Sequence, residues 1–325
     1  MSHPVLQALL PVVILIAIGY YIGKKHWVSA NGTKDLSNVV FLVLAPALLF
    51  RTMSNVHLED IDFRPVLVYF AAMWLVFGAV LWKLHFTRRA AVLGLASTFS
   101  NTLMIGVPLV SLTYGEEGLV TLFALVSLHA FVMLTMVTIV LELALELENA
   151  RHGKAPKQRR SITTRLVGLG HTLFKAAKAS LLHPVPLPIV CGLLFAQTGL
   201  KLPSVIDQPL QLLGAAFSPV ALLLVGASLA VTTLGGHLRV ALLLVGMKNL
   251  FHPLVLALLG LALGFSGVPF AVMVLTASLP IGANVYLYAI RYKVAEQEVV
   301  AAVALSTMLG LFTVALVMLL VGYLP

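Results

Sequence analysis

Long apolar runs separated by short polar clusters recur from one end of the chain to the other. A helix that crosses a bilayer needs about 20 predominantly apolar residues. Ten such stretches are predicted, over residues 4–23, 36–53, 65–84, 90–113, 118–141, 184–200, 209–231, 240–263, 269–290 and 299–323. The first has no basic region ahead of its apolar core and no small-residue cleavage site. It therefore reads as a retained span and not as a removable signal peptide.

Composition agrees with a membrane solvent. Of the 325 residues, 60% are apolar and 10% charged, far from the roughly 45–50% and 25% of soluble domains. One cysteine, Cys191, excludes an internal disulfide and any metal site built on thiolates. No cofactor is expected. The formal net charge of +9 would ordinarily suggest nucleic acid, but the basic residues fall between apolar segments, where membrane topology explains them. With ten spans, seventeen Lys and Arg residues fall in the loops that follow the odd-numbered spans. Only Arg51, Arg64 and Lys201 fall on the other side, and Lys248 lies inside a span. This bias makes the basic side cytoplasmic and puts both termini outside, in a bacterial-type inner membrane. The hydrophilic stretch 150–182 becomes a basic cytoplasmic linker, with an interfacial amphipathic helix possible over 161–180.

The chain repeats its own grammar. His3-Pro4-Val5 opens the first span and His183-Pro184-Val185 the sixth. Pro46 and Pro219 sit at the same depth in spans two and seven, Arg64 and Arg239 at the starts of spans three and eight, Tyr114 and Tyr292 at the ends of spans four and nine. The offsets are 180, 173, 175 and 178 residues. Five spans per repeat is an odd number, so the second copy must insert upside down. That arrangement belongs to secondary transporters, whose sites lie near the midplane where broken helices meet. The expected architecture is an all-α membrane protein with two inverted five-helix repeats, 1–149 and 183–325. Spans four and nine are the ones expected to break: one carries Gly106 and Pro108, the other Pro280 and Gly282. Proline removes a backbone donor and glycine tolerates unwound backbone.

The run Ser100-Asn101-Thr102-Leu103-Met104-Ile105-Gly106-Val107-Pro108-Leu109 closely resembles the fourth-helix motif of the auxin efflux carrier family. That family includes plant PIN carriers and bacterial malonate and malate permease-like proteins. Ala45–Phe50, Gly226–Leu229 and Lys248–Pro253 resemble its second, seventh and eighth helices, and Leu279–Val285 its ninth in the bacterial version. The resemblance implies the sodium/proton-antiporter-like fold, a scaffold domain and a transporter domain each drawn from both repeats, organic-anion substrates and homodimers.

All twelve acidic residues lie at predicted span ends or in loops, which argues against cation/proton antiport, since that chemistry needs a midplane carboxylate. Lys248 lies nine residues past Arg239, about 13–14 Å along a helix and near the membrane centre. Three readings remain open for it: a neutral or backbone-paired lysine that fixes the broken helices, a direct contact to the anion, or a side chain that snorkels to water. Asn101 and Asn284 are candidate substrate amides, with Ser100, Thr102 and Tyr286 as further contacts. His252 and His129 are, with Lys248, the midplane groups that proton coupling would use. The expected function is a secondary carrier of a small organic anion, such as malonate, malate or an auxin-like weak acid, working by alternating access. A sodium- or proton-coupled symporter, or a membrane receptor that binds without transport, are the alternatives. No Ser/His/Asp grouping or nucleotide loop suggests an enzyme.

Overall fold

The computed structural model describes residues 4–151, 184–232 and 237–322. The expected linker helix at 161–180 lies outside the described residues. The described chain is helical: α1 (Pro4–Lys24), α2 (Ala30–Val39), α3 (Ala45–Met53), α4 (Arg64–Lys83), α5 (Arg88–Ala96), α6 (Val107–Arg151), α7 (Pro186–Ala196), α8 (Ser204–Val231), α9 (Leu238–Val245), α10 (His252–Ala262), α11 (Gly267–Ser278), α12 (Asn284–Tyr292) and α13 (Glu296–Val321). Side-chain caps start two of them. Ser29 Oγ accepts from the Gly32 amide at 3.0 Å, and Thr87 Oγ1 accepts from the Ala90 amide at 3.1 Å. Within α6, Gly115 leaves helical geometry at φ 61°, a conformation that glycine adopts without a Cβ penalty. It divides this run where the sequence separates its fourth and fifth spans.

Three π-helical turns, Val40–Leu44, Thr102–Gly106 and Gly246–Phe251, share one cause. Each is followed at the second residue of the next helix by a proline: Pro46, Pro108 and Pro253. A proline inside an α-helix clashes with the carbonyl four residues back and leaves it without a donor. The wider turn moves the hydrogen bonds to i→i−5 and relieves the clash, as with the Val107 amide on the Thr102 carbonyl.

Seven helical runs are long and apolar enough to cross a membrane: 7–24, 31–53, 64–83, 102–149, 204–231, 238–262 and 296–321. The chain is thus an integral membrane protein. The helices α1 and α8 pack with their backbones in contact. A Cβ on Gly226 would strike the Ile16 carbonyl and the Tyr20 amide, and one on Gly19 would strike the Leu223 carbonyl. The helix α3 lies against α7 and α8. On the other side of the molecule α4 packs on α5 and α10, while α11 sits among α4, α6, α10 and α13. Residues 90–100 and 272–282 are buried without interruption, so the parts of α5 and α11 that lead into the breaks are covered by protein.

Ion pairs hold the helix ends. Arg88 Nε donates to Glu148 at 2.7 Å and Arg89 Nη2 to Glu298 at 2.8 Å, tying α5 to α6 and α13. Arg51 binds Asp207 through Nε and Nη2 at 2.7 and 3.2 Å, tying α3 to α8. Each pair joins ends that the span count places on the same side of the membrane.

Replacing Gly226 by alanine is expected to push α1 from α8 and cost about 1–3 kcal/mol, read as a lower unfolding temperature in detergent. Gly78→Ala, where a new Cβ meets nothing within 4 Å, is the matched control and should leave that temperature unchanged or raise it slightly.

Candidate functional site

The helical path stops after α5 and again after α11. Residues 97–101 and 279–283 leave helical geometry and run antiparallel to each other. The Asn101 amide donates to the Pro280 carbonyl at 2.9 Å, and the Gly282 amide to the Phe99 carbonyl at 2.9 Å. These bonds frame an antiparallel bridge between Ser100 and Ile281. The third exposed donor, the Ile281 amide, finds Ser306 Oγ on α13 at 3.0 Å. In a bilayer every backbone polar group needs such an internal partner. Close approach requires glycine here: a Cβ on Gly282 would come within 2.6 Å of the Phe99 ring, and one on Gly310 within 2.7 Å of Pro280.

Lys248 completes the crossing. Its side chain is fully buried, and Nζ donates to the Leu279 carbonyl at 2.8 Å and to the Ala277 carbonyl. These are carbonyls freed where α11 ends, at the negative pole of its dipole. Beside it, Asn249 Nδ2 donates to the Ser306 carbonyl and to Thr313 Oγ1, both at 3.1 Å. His252 is buried, and among the described residues neither of its ring nitrogens has a hydrogen-bond partner.

On the other face of the crossing lies a cavity of about 770 Å³. Ser100, Asn101, Thr102, Gly282, Asn284 and Tyr286 bring the crossing to its wall, and His129 faces it from α6. Two helical segments start here. Asn101 Oδ1 caps the first by accepting from the Met104 amide at 3.3 Å, and Asn284 is the first residue of α12. Both segments therefore turn their positive poles toward the cavity, which suits an anion. Among the described residues, no Lys, Arg, Asp or Glu lines it.

Residues 4–318 match the family described as "Membrane transport protein". The chain belongs to that family. It is 25% identical over 312 residues to the "Uncharacterized transporter YfdV" of Escherichia coli (strain K12), covering 92% of each chain. It is 27% identical over 317 residues to a Rhizobium meliloti (strain 1021) protein named as a proposed malonate transporter, covering 94% of this chain and 92% of that one. It is also 23% identical over 245 residues to auxin efflux carrier component 8 of Arabidopsis thaliana, covering 67% of each. The family is thus the one its fourth- and ninth-helix motifs resemble.

The structure separates the residues expected at the site into two sets. Asn101, Asn284, Ser100, Thr102, Tyr286, Gly282 and His129 share the cavity wall; Lys248, His252 and Pro280 lie off it. Gly106 and Pro108 mark a difference from the sequence reading. The interruption precedes them, at 97–101, and both residues are helical because the π turn before Pro108 absorbs the clash. Gly106 serves the crossing differently: a Cβ there would come within 2.8 Å of Leu279 Cδ1. The contact between the two breaks is made by Ser100 and Ile281. Tyr69 and Ser306 were not read from the sequence. A lone hydroxyl at mid-depth in an apolar span is the one signal each carries.

Ser306→Ala leaves the Ile281 amide buried without an acceptor. The expected cost is about 1–3 kcal/mol of stability, measured by thermal unfolding in detergent.

Proposed function

We propose that this protein is a secondary carrier that moves a small organic anion, a carboxylate such as malonate or malate or an auxin-like weak acid, by alternating access. The observation that carries the reading is the pair of antiparallel chain breaks whose outgoing helical segments begin, each beside an asparagine, at one cavity. Main-chain donors and two amides receive a carboxylate there, and apolar walls such as Phe41, Val225 and Val303 receive its body. Membership in a membrane transport family supports it, and so does the name of the Rhizobium meliloti relative.

In this reading the chain crosses the membrane ten times as two inverted five-helix repeats, 1–149 and 183–325. The helices α1, α2, α3, α7 and α8 form the scaffold, and the remainder, with both broken segments, forms the transporter domain. That domain shifts against the scaffold in an elevator-like movement. The basic side faces the cytoplasm, both termini lie outside, and the functional unit in the inner membrane is a homodimer. The cavity reaches the basic ends of the spans at Ser37, Pro184, Thr232 and Val300. The conformation is then the one open to the cytoplasm.

Purified protein in proteoliposomes should take up labelled carboxylates. Asn101→Ala and Asn284→Ala should each lower transport at least about tenfold, the loss of one hydrogen bond to a charged group, without lowering the unfolding temperature to match. Absence of flux for every weak-acid anion tried with the wild type would overturn the reading.

A further inference from the structure

Among the described residues, His129 is the one cavity-lining side chain whose type, free in water, ionises near neutral pH. It is 2% exposed, and its ring stacks on Phe99 with centroids 4.7 Å apart and planes at 23°. Its Nε2 lies 3.4 Å from Tyr69 Oη, which lies 3.0 Å from Ser100 Oγ, and Ser100 donates to the Thr276 carbonyl at 2.8 Å.

The carbonyl at the end of this chain sets its direction. Ser100 has one proton, and it goes to Thr276. Ser100 Oγ therefore accepts from Tyr69, and Tyr69 Oη, its own proton spent, accepts from His129 Nε2–H. Neutral His129 is held as the Nε2–H tautomer, and its lone pair resides on Nδ1.

We propose that His129 binds a proton at Nδ1 together with the anion, so that the carrier moves the two as a pair. The proposal rests on the anion-carrier reading above. Protonation places a positive charge on the cavity wall, stabilised by the Phe99 face. Every other ionisable group nearby disfavours or ignores it. Tyr69 from α4 is the neighbouring acceptor. Lys248 and His252, behind Tyr69, supply no negative charge. The helix α11 offers only backbone, and the charged residues of α1, α3, α5 and α8 sit at helix ends. Among the described residues, no carboxylate lines the cavity. The substrate is thus the counter-charge, and each ligand raises the affinity for the other by the same factor.

The test is calorimetry of the full-length carrier in detergent with a panel of carboxylates led by malonate, from about pH 6.5 to about pH 8.5. The probes are fully ionised at the upper end of that range. Affinity should weaken as pH rises, by up to about tenfold per unit, and binding should take up as much as one proton per anion, seen by repeating each titration in buffers of different ionisation enthalpy. His129→Gln should bind the anion at pH 6.5 no more tightly than the wild type does at about pH 8.5, and should lose both the pH slope and the proton uptake. Tyr69→Phe, which removes the acceptor for Nε2–H and keeps the ring, should shift the midpoint of the pH profile. Wild-type binding that is independent of pH and exchanges no proton would overturn the proposal, as would an unchanged slope in His129→Gln. Failure of every carboxylate to bind at any pH would instead remove the anion-carrier reading beneath it.

Discussion

An unpaired amide or carbonyl inside hydrocarbon costs several kcal/mol, and two interrupted helices at mid-membrane expose many at once. The fold answers that constraint by letting each interruption satisfy the other. The paired bonds of residues 99–101 with 280–282, the Ser306 hydroxyl and the Lys248 side-chain nitrogen together take up the released groups. The rest of the molecule serves this contact. Helix α13 brings Ser306 and a glycine against Pro280, the turn before α10 brings Lys248 and Asn249, and surrounding helices cover residues 90–100 and 272–282.

The two faces of the crossing divide the work. Behind it lie the lysine, the asparagine and the imidazole of His252, buried against backbone. In front lie the amides, hydroxyls and His129, turned to a space large enough for a small acid. Lys248 thus spends its hydrogen bonds on the architecture, and the front face draws its positive potential from helix ends.

Much of this was legible in the sequence, and for a physical reason. Span positions follow from apolar length, which the bilayer enforces, and seven helical runs among the described residues are long and apolar enough to cross it. Asn101 and Asn284 were visible as candidates because amides at mid-depth are costly unless used, and both line the cavity. The position of the first break was not. Pro108 is the strongest helix breaker in its span, yet the chain widens by one residue per turn ahead of it and stays helical. The opening falls instead at Ser97–Asn101, whose residue types carry only a small helix penalty each; the partner segment near Pro280 is what makes extension there favourable. Tertiary pairing of that kind leaves no periodic trace. The Tyr69–His129 contact escaped notice likewise, since 60 residues separate the partners.

Under the anion-carrier proposal, the helix starts at Asn101 and Asn284 supply an attraction for negative charge that no single side-chain replacement removes, and His129 adds to it when protonated. Drift along the walls at Phe41, Val225 or Val303 would then alter which acid fits while both helix starts keep their place. In such a design the choice of cargo and the preference for its sign rest on different atoms.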